Sequence, residues 1–409
     1  MHCPVRRSRP AAPMADEAGG IMNIAIQSEP TSDVVVTTVA TRLKRTDYAA
    51  SRDYNEMVMS LMHQAANRGD AECQSKLGAM YAVGDGLPQD YRKAAHYLRL
   101  AADKENALAL FNLGVLHSNG WGGDPQPELA FDCYSKSAQL GNADALNNLG
   151  VCFQHGRGCV RNLSQAFAKF REAAERGHAI ALSNCGYMKE LGLGTTIDVF
   201  EAHAYYKNAA ERGCVDALYN LGRLCIFTET NLKDLESGLD WLLKAGVLGS
   251  GDGYNLLGCI EYKGFNVKRN YDRAREFFHL ADRLGNAAAK NNLGWLYQHG
   301  YGIEADLEKA LAYYRDSAAQ RYTGAYCNLG YLHFNGIGVA QDYAEALRYF
   351  RLAADGDNST GLFNLAVLHL KADSGFYDPG KAAGLLKRCV LQGNAEAGEL
   401  LKTLSSPRV

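Results

Sequence analysis

Residues 287–322 read AAAKNNLGWLYQHGYGIEADLEKALAYYRDSAAQRY, and most of the chain is this stretch written again. Steps of 36 residues back from Gly294 land on Gly258, Gly222, Gly186, Gly150, Gly114 and Gly78, and one step forward reaches Gly330. No gap is needed. A period this strict marks a stack of like supersecondary units, each touching only its neighbours. The chain is therefore read as an all-α solenoid of nine 36-residue units over 71–394, whose length measures surface rather than domain number.

With places counted from the first residue of each unit, apolar side chains fall at places three, seven, ten and eleven, the spacing of one helix face. Place ten, for example, runs Met80, Leu116, Cys152, Met188, Leu224, Ile260, Leu296, Leu332 and Leu368. Glycine at place eight costs a helix about 1 kcal/mol relative to alanine. Its recurrence needs a return, and close approach of a neighbouring helix supplies one. Place three is small throughout, from Cys73 and Ala109 to Gly361, which suits the same tight crossing. Gly-x-Gly at places fourteen and sixteen, as in Gly300 and Gly302, then stops the helix, because glycine enters the left-handed conformation at no steric cost. A phosphate-binding reading of this loop fails: no Lys-Ser or Lys-Thr follows it and no strand precedes it.

A second helix spans about places twenty to thirty-three, with large apolar residues at place twenty-eight such as Tyr134, Phe170, Tyr206, Phe278, Tyr314 and Phe350. A stripe at this spacing is core. Gly-Asn pairs such as Gly141-Asn142 and Gly285-Asn286 end the unit and cap the next helix. At the ends, 51–70 matches only the second half of a unit and 395–409 begins as only the first half, so both are expected to be capping helices, the latter followed by a tail. Residues 1–50 have four prolines, a Gly19-Gly20 pair and no sustained period, and are expected to be a disordered arm. Arg6, Arg7 and Arg9 give that arm a weak transit-peptide character that Asp16 and Glu17 oppose, and it lacks the apolar run of a secretory signal.

Composition narrows the function further. The chain carries 43 Lys and Arg against 45 Asp and Glu, too even a balance for a nucleic-acid or anionic-lipid footprint. Of its 11 cysteines, the ten in the array fall at ten different places of the repeat. A disulfide or metal ladder would recur in register and no C-x-x-C occurs, so these are expected to be reduced, buried thiols in a cytoplasmic compartment.

The pattern A-x-A-x-x-N-L-G, then G-x-G, then K-A-x-x-Y-Y and A-A resembles the Sel-one-like repeats, which belong to the tetratricopeptide-repeat-like superfamily. The resemblance covers about four-fifths of the chain. It implies a right-handed superhelix of antiparallel helix pairs whose first helices line the concave side. Proteins of this kind serve as adaptors: subunits of membrane-associated ubiquitin-ligase complexes, activators of chitin synthase and bacterial host-interaction factors. One secreted bacterial branch joins its helices by disulfides in register, a pattern this chain lacks.

The candidate binding residues stand on the first helices. Place six is Asn112, Asn148, Asn184, Asn220, Asn292, Asn328 and Asn364. At 100° per residue it shares a stripe with places two, nine and thirteen, beside the buried one. An amide both donates and accepts, so such a column can grip the backbone of an extended peptide, and it can equally bond the adjacent unit. Partner choice is expected from variable places, chiefly place nine with Tyr187, Arg223, Trp295 and Tyr331, and place thirteen with His155, Phe227, Lys263, His299 and Lys371, because aromatics and arginine are the usual interface anchors. Trp295 ranks first. The fifth unit, 215–250, conforms least, with Thr228 and Thr230 in place of the loop glycines, and reads either as a hinge or as a drifted loop.

No G-x-S-x-G, S-x-x-K, H-E-x-x-H or Walker loop occurs, so the chain is read as a non-enzyme that needs no cofactor or metal. The expected partner is a protein or extended peptide segment in a concave groove, with no nucleic acid and no direct membrane insertion. The leading function is a scaffold or adaptor. The alternative is a regulatory subunit that activates one enzyme, including a membrane-bound one, and a hydrolase comes a distant third.

Overall fold

The computed structural model describes residues 50–405. The arm expected over 1–50 lies almost wholly outside the described residues. Two compact units divide between Lys233 and Asp234, inside the fifth repeat. Among the described residues all regular structure is helical.

The first unit begins with α1 (Ala50–Asn67) and then alternates first and second helices of the repeat. These are α2 (Ala71–Val83), α3 (Tyr91–Ala102), α4 (Ala107–Asn119), α5 (Pro127–Gln139), α6 (Ala143–His155), α7 (Leu163–Glu175), α8 (Ala179–Leu191), α9 (Val199–Glu211) and α10 (Val215–Phe227). The second unit holds α11 (Leu235–Val247), α12 (Gly251–Lys263), α13 (Tyr271–Arg283), α14 (Ala287–His299), α15 (Leu307–Ala319), α16 (Thr323–Asn335), α17 (Tyr343–Asp355), α18 (Ser359–Leu370), α19 (Pro379–Leu391) and α20 (Ala395–Ser405). Within each unit every helix packs on the next one in the chain, and first helices of successive repeats also meet, as α2 with α4, α8 with α10 and α14 with α16.

Local chemistry fixes most boundaries. Asn142 and Asn286 accept from the amides of Ala145 and Ala289 at 2.8 Å, capping α6 and α14. Second helices start on an Asp or Asn one residue ahead of them: Asp90, Asn162, Asp198, Asn270, Asp306 and Asp342 all accept from amides of the first turn. First helices stop where Gly156 and Gly300 turn left-handed at φ 71° and 69°. The second loop glycine has a different duty. A Cβ on Gly194 would lie 2.2 Å from the Leu163 carbonyl carbon, so the loop of one repeat rests on the start of the preceding second helix.

The core is a row of first-helix glycines facing second-helix rings. Phe170, Tyr206, Phe278 and Tyr314 are fully buried. A Cβ on Gly150, Gly186, Gly258 or Gly294 would meet them at 2.5 to 2.8 Å. Buried tyrosines keep their hydroxyls satisfied by reaching back to place twelve of the first helix: Tyr314 donates to Gln298 Oε1 at 2.7 Å and Tyr206 to Glu190 Oε2 at 2.9 Å. The loop of the fifth repeat departs as its sequence does. Thr228 ends α10 in an extended conformation, and its hydroxyl lies 2.9 Å from that of Thr230.

Candidate interaction surface

The asparagine column is knitted from repeat to repeat. In the first unit Asn184 Nδ2 donates to Asn147 Oδ1 at 3.0 Å. In the second, Asn292 donates to Asn255 at 2.9 Å and Asn328 to Asn291 at 2.8 Å. Each bond runs from place six of one repeat to place five of the repeat before it. Asn292 and Asn328 are only 2 and 3% exposed, and Asn220 is also buried, whereas Asn112, Asn148, Asn184 and Asn364 are half-buried. Some hydrogen-bonding capacity stays unused: Asn220 Oδ1, Asn291 Nδ2, Asn292 Oδ1 and Asn364 Nδ2 have no partner among the described residues.

Place nine also leans on the preceding repeat, where it meets place twelve. Arg223 Nη2 lies 2.6 Å from both carboxylate oxygens of Glu190, which receives the Tyr206 hydroxyl as well. The two charged side chains are 15 and 12% exposed. Tyr187 stands half-buried beside this pair, and burial, reinforced by Glu190, pushes its phenol above the usual value while Arg223 opposes the rise. In the second unit Trp295 is 7% exposed. Its indole Nε1 donates to the Tyr262 hydroxyl at 2.8 Å and its ring lies 3.9 Å from that of His299. Tyr331 is half-buried, and its carbonyl accepts from Asn335.

Asn184, Asn292, Asn328, Arg223 and Trp295 are thus tied to a neighbouring repeat. Tyr187, Asn112, Asn148, Asn364 and Tyr331 keep part of their surface open. Sequence reasoning missed the partners Asn147, Asn255, Asn291, Glu190 and Tyr262. The doubled Asn147-Asn148 and Asn291-Asn292 were the available signal.

Ten cysteines are unbridged among the described residues. Burial pushes the Cys185 and Cys259 thiols up to about 12. No group of three or more His, Cys, Asp or Glu among the described residues is placed to hold a metal ion. No helix among them is long and apolar enough to cross a membrane.

Helix pairs stacked at a fixed 36-residue spacing, joined by side chains that cross from repeat to repeat, define an α-helical repeat solenoid. The chain belongs to the Sel1 repeat family: the family profile matches eight consecutive stretches, 71–106, 107–142, 143–178, 179–214, 215–250, 251–286, 287–322 and 323–358. Among solved structures it is similar to c5321, a protective antigen present in uropathogenic Escherichia coli strains displaying an SLR fold. That match has 27% identity and TM-score 0.57, and covers 84% of this chain and 73% of that one. A Sel1 repeat protein from Oxalobacter formigenes matches at 28% identity and TM-score 0.53, over 59% of this chain and 97% of that one. Among curated proteins, the ERAD-associated E3 ubiquitin-protein ligase component HRD3A of Arabidopsis thaliana is 31% identical over 75 residues, 18% of this chain and 11% of that protein. The chain therefore spans about a tenth of the length of that relative.

Proposed function

We propose that this chain is a protein–protein interaction scaffold whose first helices form a concave wall for an extended segment of a partner protein. The observation that supports the reading is that first helices of neighbouring repeats meet in several places, as α2 with α4, α8 with α10 and α14 with α16. Side chains with open surface stand on these helices: Asn112, Asn148, Asn184 and Tyr187 in the first unit, Tyr331 and Asn364 in the second. Half-buried amides suit a peptide backbone because they donate and accept without selecting a side chain, and the tyrosines supply rigid anchors. The buried members Asn220, Asn292, Asn328, Arg223 and Trp295 support the reading indirectly, by holding the wall in shape.

Crosslinking mass spectrometry on the complex recovered with the full chain tests this. Crosslinks are expected on first helices, and Asn148→Ala with Tyr187→Ala should reduce partner recovery while the melting temperature stays close to wild type. Crosslinks confined to second helices would sink the reading.

The likeness to a ubiquitin-ligase component favours one second reading, a regulatory subunit of an enzyme complex. Recovery of a single stoichiometric enzyme from a detergent extract, and its loss without detergent, would favour that reading over a general adaptor.

A further inference from the structure

A cavity of about 260 Å³ opens in the first unit between α3, α4 and the loop after α4. Tyr91, Arg92, Ala95 and Arg99 line it from α3, one stripe of that helix, and His117, Trp121, Gly122 and Asp124 line it from the other side. The Tyr91 and Trp121 rings stack at 5.6 Å and 21°. The repeat explains why there is a hole here. Five periods on, Tyr271 and Tyr301 stack in the same way at 5.1 Å and 18°. There Arg275 occupies the position of Ala95, its Nη1 donating to the Gly302 carbonyl and its Nη2 pairing with Asp272 at 3.1 Å. In the first unit Ala95 removes that plug and Arg92 stands where the other site has Asp272.

The substitutions leave unspent charge. Among the described residues neither the Arg92 nor the Arg99 guanidinium reaches a carboxylate in an ion pair, and Gly122, the counterpart of Gly302, has no side chain bonded to its carbonyl. Against two guanidiniums the wall offers one carboxylate, Asp124. Burial holds the nearby His117 imidazole below its usual value, and Arg99 pushes in the same direction, opposed by a hydrogen bond with Gln126. The cavity is small beside the 300 Å³ and more of ordinary small-molecule sites, which suits one or two side chains of a peptide.

We propose that this cavity binds an acidic side chain of an extended partner segment, its carboxylate clamped by Arg92 and Arg99 and an adjacent ring or apolar residue laid against Tyr91 and Trp121. Guanidinium–carboxylate pairing is bidentate and short, and it is strengthened in a partly enclosed site. A peptide amide can meet the Gly122 carbonyl as Arg275 meets Gly302. The groups that would hold the ligand, Arg92, Arg99, Tyr91, Trp121 and Gly122, come from a second helix and a loop, so their contribution is tested separately from that of the place-six and place-nine side chains.

The test is fluorescence anisotropy with the full chain and two fluorescein-labelled peptides, Gly-Ser-Glu-Phe-Glu-Ser-Gly and its Gln-Phe-Gln counterpart. The glutamate peptide should bind at least about tenfold tighter, the loss expected when charged hydrogen bonds go. Arg92→Gln with Arg99→Gln should weaken it comparably. Ala95→Arg adds a positive charge yet should abolish binding, because its side chain refills the hole. Circular dichroism melts confirm that the variants fold, and alanine at Asn148 and Tyr187 should leave this signal unchanged. Equal binding of the two peptides, undiminished binding by Ala95→Arg, or no saturable binding by wild type up to about 1 mM would overturn the assignment, as would competition by inorganic phosphate at equal strength.

Discussion

A Cβ added to Gly258 would lie 2.5 Å from the Phe278 ring, and the same apposition joins Gly150 to Phe170 and Gly330 to Phe350. The helix gives up about 1 kcal/mol of propensity at each such glycine, and the fully buried ring takes the vacated space. Gly258→Ala should therefore lower stability by up to about 2 kcal/mol, an overpacking cost of about 1–3 kcal/mol offset by about 1 kcal/mol of propensity. Phe278→Leu in the same chain should restore part of it, because Ala366 of α18 and Leu386 of α19, both fully buried, pack in one core at the corresponding positions. Urea unfolding of the four chains measures the coupling directly. A Gly258→Ala chain more stable than wild type would remove close approach as the reason for the glycine.

The Arg223–Glu190 pair bears on the first unit in a different way. Both groups are largely removed from water, and Glu190 also accepts the hydroxyl of the fully buried Tyr206. Arg223→Ala leaves a buried carboxylate without its counter-charge, at a cost of about 3 kcal/mol. Arg223→Met with Glu190→Gln keeps an acceptor for Tyr206 and removes both charges, and it should unfold close to wild type. Equal destabilisation of the single and double variants would show that packing of the arginine stem, and not charge, holds this seam.

These cases show what the period could and could not reveal. Gly258 faces Phe278 because glycine at place eight and a large apolar residue at place twenty-eight both recur every 36 residues, so the sequence repeats the same packing problem and the core is legible from it. Trp295 and Arg223 recur in no such way. The 100° step puts place nine on the candidate stripe with places two, six and thirteen, but a first helix in a stack also has a neighbour along the stack. Only the lengths of Tyr262 and Glu190 at place twelve decide that the side chain turns that way. For the asparagine column, an amide's dual chemistry leaves both fates open until a partner at place five is seen. The cavity beside Trp121 was illegible for a related reason. It arises from Ala95, an unremarkable residue until set against Arg275.

The Asn328–Asn291 bond yields a prediction on the column itself. Asn328→Ala would strand Asn291 Oδ1, whose own Nδ2 already lacks a partner, inside a buried seam. The expected loss is about 1–3 kcal/mol. Asn112→Ala, at a half-buried position with no cross-repeat partner of this kind among the described residues, should cost well under that. Thermal melts of the two variants side by side decide whether the column's contribution depends on its neighbour. Equal losses would mean that place-six asparagine supports its own helix instead.

Histidines held below their usual value make stability depend on pH in a definite direction. His117, His155, His203, His279 and His299 are all held below the ordinary 6.5, in each case first of all by burial, with the carbonyl of Trp295 opposing the shift at His299. A lowered folded value means that the unfolded chain binds protons first as the solution is acidified. The stabilisation is therefore complete above 6.5 and is lost as the pH falls from there towards the folded values. Melting temperatures should drop between about pH 7.5 and 5.5, before ordinary carboxylates titrate. His299→Phe keeps a ring against Trp295 and removes one titrating group, so its pH dependence should be shallower than that of wild type. A melting temperature that rises on acidification through this window would mean that the imidazolium forms gain partners in the folded chain, and would reverse the assignment.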